Sequence, residues 1–161
     1  MKRDWSVEAA TAALNGLRPV LDLLRRQRAE LDRLKEELVR LRRLERSGAR
    51  PGGADQNQLQ LVLEGDASNE AMVTSSMVEL RIRGLVDQMQ ASVDRIAARG
   101  IELRDIERGL VDFPAAAFGR RYLLCWEEGD GEHVLFAHAM GEGFGARVPI
   151  GVFLRHLAAA G

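Results

Sequence analysis

Three residue types in the C-terminal half of this 161-residue chain are capable of chemistry: two acids beside a turn, the single cysteine, and one histidine. The stretch "GLVDFPAAAFGRRYLLCW", residues 109–126, holds Asp112, Cys125 and Trp126, with Asp105 just upstream and His138 downstream. A tight turn at Glu107-Arg108 would put Asp112 opposite Leu103 and diagonal to Asp105, two carboxylates about 5–8 Å apart on one sheet face. Such a pair shares a proton or binds a hard cation. A slip of one residue sends the two acids to opposite faces. The alternative in either register is that Asp112 only accepts hydrogen bonds from the turn or pairs with Arg120, Arg121 or Arg147.

Cys125 and His138 raise the question of a nucleophile or a metal. If "GDG" at 129–131 is a three-residue hairpin loop, Tyr122 pairs with His138. Cys125 and His138 then point to opposite faces, and a two- or four-residue loop reverses this. A lone cysteine in an apolar run behaves as a small hydrophobe. Cys125, His133, His138 and His156 have none of the close spacings of metal-ligand motifs, so no metal site is expected. No GxGxxG, phosphate-loop, GxSxG or HExxH motif occurs. "GEGFGAR" at 141–147 is a glycine-rich loop that with Arg147 would form an anion-binding nest.

The elements that must position these residues follow from periodicity. Leu17, Leu24, Leu31 and Leu38 recur every seven residues, with Leu21, Leu34 and Leu41 on the same side, so residues 6–46 read as one long amphipathic helix. Ser6 is its expected cap. Asn15-Gly16 and Pro19 predict a kink or break within 15–19. Residues 46–58, "RSGARPGGADQNQ", have linker composition, and 59–65 are unassigned. A second helix is expected over 68–99, stopped by Gly100, and makes an antiparallel pair with the first.

Beyond Gly100 the apolar period changes to two. Two hairpins, a glycine loop and a short closing helix at 151–160 follow. The expected fold is therefore α+β: a long antiparallel helical hairpin, residues 1–100, packed with a small antiparallel β-sheet and short C-terminal helix, residues 101–161.

Composition excludes several classes. The chain is 46% apolar, 29% charged and 5% aromatic, with net charge −1, which gives no overall pull toward nucleic acid. Residues 25–50 do carry ten Lys/Arg against five Asp/Glu. No apolar run is long enough to cross a membrane. One cysteine forms no internal disulfide, and the start lacks the apolar core of a secretory signal, so a cytoplasmic protein is expected.

"GIELRDIERGLVDFPAAAFGRRYLLCW", "FAH" and "GFGARVP" together resemble the prokaryotic family called domain of unknown function 2203. The motif residues fall on Arg104-Asp105, Gly109 to Pro114, Gly119-Arg120, Leu124 to Trp126, His138, Gly143-Phe144 and Arg147 with Pro149. Two family features are missing: Ala10 stands where an asparagine is usual, and Ala137 precedes His138 in place of tryptophan. The resemblance implies a shared fold and no chemistry. It supplies a shortlist: Asp105, Asp112, Arg120, Cys125, Trp126, His138 and Arg147.

The favoured function is a non-enzymatic dimerising or interaction module, with Leu17, Leu24, Leu31 and Leu38 as the interface and a second copy or another protein as partner. The alternative is a small-ligand or metal-dependent enzyme using the polar residues of the sheet. The third is nucleic-acid binding by residues 25–50. No cofactor is indicated.

Overall fold

The computed structural model describes residues 4–48 and 73–161. The first helix, α1, spans Val7–Arg46, and the second, α2, spans Ser75–Ala98. Ser6 caps α1: its Oγ accepts the Ala9 N–H at 3.1 Å. The expected break at 15–19 does not occur, and Pro19 lies inside a continuous helix. The apolar stripe on either side of Pro19 is buried, and this packing outweighs the lost backbone hydrogen bond. The expected linker beyond residue 48, the unassigned stretch 59–65 and the first residues of the expected second helix lie outside the described residues.

Five strands follow: β1 (Glu102–Asp105), β2 (Leu110–Ala117), β3 (Arg120–Trp126), β4 (Phe136–Ala139) and β5 (Val148–Pro149), closed by α3 (Ile150–Ala159). They form one antiparallel meander in the order β1-β2-β3-β4-β5. The fold is α+β, as the sequence leads one to expect. Between the two hairpins expected from the sequence lies another, β2 to β3, that turns on two residues only. Phe118 and Gly119 both have positive φ, 51° and 71°, the backbone of a turn whose twist matches that of its strands. That turn fixes Asp112 directly opposite Cys125.

The chain divides into two compact units. The first combines the chain up to Gln27 with Gln88–Gly161. Its core gathers Leu14, Leu17, Leu21 and Leu24 of α1, Ile96 of α2, and Val111, Phe113, Leu124 and Trp126 of the sheet. The second unit, Arg28–Asp87, is an antiparallel length of α1 and α2 packed through Leu34, Leu41 and Val78. Arg42 and Glu79 pair across it, and Glu45 accepts the Ser75 N–H at 3.1 Å.

The leucine stripe proposed as an interface needs correcting. Leu17, Leu24 and Leu31 are buried by the chain itself, and Leu38 is partly buried against Leu34, Leu41 and Val78. Hydrophobic surface already removed from water within one chain supplies no driving force to a partner.

Candidate functional site

Both expected hairpin registers are shifted. At the first, Asp112 pairs with Glu102 rather than Leu103, and a bulge separates Leu103 from Asp105. Asp105 ends β1 opposite Leu110, and its Oδ1 accepts the Arg108 N–H of the turn at 3.0 Å. The Asp105 carboxylate is thus committed to the backbone of the turn. Asp112 instead meets Arg104, whose Nε donates to Oδ2 at 2.7 Å.

At the second hairpin, His138 pairs with Leu123 and Phe136 with Cys125, one residue away from the expected register. The "GDG" stretch is not a tight hairpin loop. Residues 127–135 form a longer connection, tied by the Glu127 N–H to Asp130 Oδ2 at 3.0 Å and the Trp126 indole N–H to the Gly131 carbonyl at 3.0 Å. The consequence for the site is a reversal: Cys125 and His138 share a face, with Asp112 beside them. Three neighbouring strands each contribute one buried polar side chain to that face.

One donor atom from each of Asp112, Cys125 and His138 lies within 4.8 Å of the other two. His138 Nε2 stands 3.3 Å from Asp112 Oδ1, and His138 Nδ1 stands 3.0 Å from the Ala139 carbonyl. Both ring nitrogens therefore face oxygen. With its proton on Nδ1 and donated to Ala139, a neutral imidazole presents a bare lone pair to the carboxylate. Only a proton or a cation between them makes that contact favourable.

The Cys125 thiol is pushed up to about 12 by burial and by the negative charge and hydrogen bond of Asp112, with the Arg147 guanidinium opposing. A thiol held in its protonated form is a poor nucleophile. Asp112 in turn raises Arg104 above its ordinary value through their hydrogen bond.

A cleft of about 280 Å³ opens on this face. Asp112 and Cys125 lie at its floor with Arg104 and Leu110, and the loop Gly141–Phe144 forms its wall. Arg147 anchors that loop: its guanidinium donates to Asp130 at 2.6 and 3.0 Å and lies 4.2 Å from the Phe136 ring and 4.0 Å from the Phe144 ring. Arg108 lies 4.0 Å from the Phe144 ring.

The remaining shortlisted residues are elsewhere. Arg120 donates to the Ala160 carbonyl at 2.7 Å and fastens α3 to β3. Trp126 is fully buried on the opposite, apolar face of the sheet. Arg104, Phe144 and Glu142 are site residues absent from the shortlist. Arg104 and Phe144 carried a signal, since both fall on motif positions of the resemblance.

A family model described as "Uncharacterized conserved protein (DUF2203)" matches residues 3–150. No curated protein and no solved structure matches the chain.

Proposed function

The chain belongs to the DUF2203 family, whose description assigns no chemistry, and we propose that this member binds one transition-metal dication of the zinc type through Asp112, Cys125 and His138. The observation that carries the reading is the His138–Asp112 contact. Two ligands of a tetrahedral zinc, each about 2.0–2.1 Å from the metal, stand about 3.3–3.4 Å apart. The Nε2···Oδ1 separation is 3.3 Å, long for a charge-assisted hydrogen bond and matched to that edge.

The surroundings support it. A metal-bound imidazole commonly donates its other N–H to a backbone carbonyl, and His138 Nδ1 stands 3.0 Å from the Ala139 carbonyl, placed to do so. A ligating carboxylate is commonly steadied by a second partner, here Arg104. The donor set of one sulfur, one nitrogen and one oxygen suits zinc or cobalt rather than magnesium or calcium. Binding displaces the thiol proton, so affinity rises with pH. The reading needs a reduced Cys125, which agrees with the cytoplasmic location expected from the sequence.

Titration of the protein with cobalt tests this. A one-to-one complex with a thiolate-to-cobalt charge-transfer band is expected, with Cys125→Ser abolishing the band and His138→Ala weakening zinc binding at least 10-fold. Absence of any stoichiometric complex refutes the reading.

Self-association is a second reading, now on a different surface. Val73, Met77 and Leu80, spaced four and three residues apart, leave 39%, 47% and 70% of their surface exposed. Light scattering after size exclusion should give a dimer that Leu80→Lys dissociates, and a monomeric wild-type chain counts against it. For nucleic acid the support is thinner, because Arg25, Arg28, Arg33 and Arg42 are each paired with a carboxylate. No helix among the described residues is long and apolar enough to cross a membrane.

A further inference from the structure

Three protein donors leave a tetrahedral ion one ligand short. Asp112 and Cys125 both line the cleft, which is the open side of the three-donor group. The other lining residues are Arg104, Leu110, Gly141, Glu142, Gly143 and Phe144. An arginine offers no lone pair to a metal, and Leu, Gly and Phe side chains have no donor atom. Glu142 is the one remaining side chain of the wall that can ligate.

Glu142 is also uncommitted. Among the described residues the other carboxylates close to this site are engaged: Asp112 with Arg104, Glu102 with Arg104, Glu127 with Arg108, and Asp130 with Arg147. Among the described residues the exposed Glu142 side chain makes no ion pair or hydrogen bond, and its backbone N–H donates to the Ala139 carbonyl at 3.2 Å. It sits between two glycines, of which Gly141 has φ of 80°, a conformation that side-chain-bearing residues rarely adopt.

We infer that Glu142 is the fourth protein ligand, closing over the cleft when the metal binds. The inference rests on the metal reading above and adds a class to it. A dication held by Asp112, Cys125, His138 and Glu142 has four protein ligands, the pattern of structural rather than water-activating zinc sites. The metal then serves to lock the loop 141–147 onto the sheet.

Cobalt spectroscopy and zinc competition on the full chain, comparing wild type, Glu142→Ala and Cys125→Ser, test both levels separately. Glu142→Ala is expected to keep the charge-transfer band of the Cys125 thiolate. It should weaken zinc binding about 10–100-fold and change the visible ligand-field bands. A Glu142→Ala protein with wild-type affinity and unchanged visible bands overturns the fourth-ligand inference and leaves the three-ligand site standing. A wild-type chain without the charge-transfer band, or one whose band survives Cys125→Ser, overturns the site itself. Circular dichroism of each variant, matched to the wild type, confirms that a lost complex is not a lost fold.

Discussion

On β2, Val111 and Phe113 point to one side of the sheet, while Asp112 between them points to the other, and all three are buried. The same alternation recurs on β3, where Leu124 and Trp126 flank Cys125. One face is a conventional core, with Trp5 set edge-on to Phe113 at 5.3 Å between ring centres. The opposite face holds a buried acid, thiol and imidazole beside a partly exposed arginine, under a cleft that opens to the surface.

Burying polar groups costs free energy even when they are satisfied, and an apolar set of the same shape is often as stable or more so. A fold that needed only stability had the cheaper solution available one residue away on the same strands. On the metal reading proposed above, the odd-numbered side chains of β2 serve stability, and Asp112 and its neighbours serve binding.

The largest effect should come from the apolar face. Phe113→Ala removes a fully buried ring and is expected to cost about 3–5 kcal/mol in chemical denaturation. The protein that remains folded should still bind the metal. Asp112→Ala should cost less, about 1–3 kcal/mol, because Arg104 is partly exposed and retains Glu102 at 2.5 Å. It should nevertheless abolish metal binding. If Asp112→Ala proves the more damaging to stability and harmless to binding, the two faces have been assigned the wrong way round.

A smaller effect concerns pH in the metal-free protein. The Cys125 thiol is raised from 9.0 to about 12 in the fold by burial and by Asp112. The unfolded chain therefore loses this proton first as pH rises. The contribution is fully present below pH 9 and shrinks from there toward about 12, by no more than about 1.4 kcal/mol per pH unit. Cys125→Ala should flatten that part of the stability profile, and an unchanged slope would show that the thiol is not held neutral by its surroundings. Smallest of all, Arg120→Ala removes an exposed hydrogen bond to Ala160 and should shift stability within about 0.5 kcal/mol, with metal binding unchanged.

Much of the architecture was legible because it depends on repeating patterns. The leucines of α1 recur over six turns, and Gly100, with φ of 76°, ends α2 as expected. The switch from a period of 3.6 to a period of two marked the sheet. The site was not legible, because it depends on register, which a single residue reverses.

Two turns decided the matter. Phe118-Gly119 adopts a turn that usually calls for Asn-Gly or Gly-Gly, so the residue types concealed it. Residues 127–135 replaced a three-residue loop with a longer one closed by Asp130 and Gly131, partners that sequence spacing does not reveal. The two-residue strand β5 was too short to produce any alternation. Of the seven residues that the resemblance supplied, Asp112, Cys125 and His138 lie together, Arg147 holds the neighbouring loop, and Arg120 and Trp126 lie elsewhere; the resemblance carried no geometry that separates these groups.

The most direct measurement is X-ray absorption at the zinc edge of the zinc-loaded chain. The account predicts a first shell with a single sulfur at about 2.3 Å and the rest nitrogen or oxygen at about 2.0–2.2 Å, the sulfur vanishing in Cys125→Ser. A shell of nitrogen and oxygen alone in the wild type would place the metal away from Asp112, Cys125 and His138 and contradict the central claim.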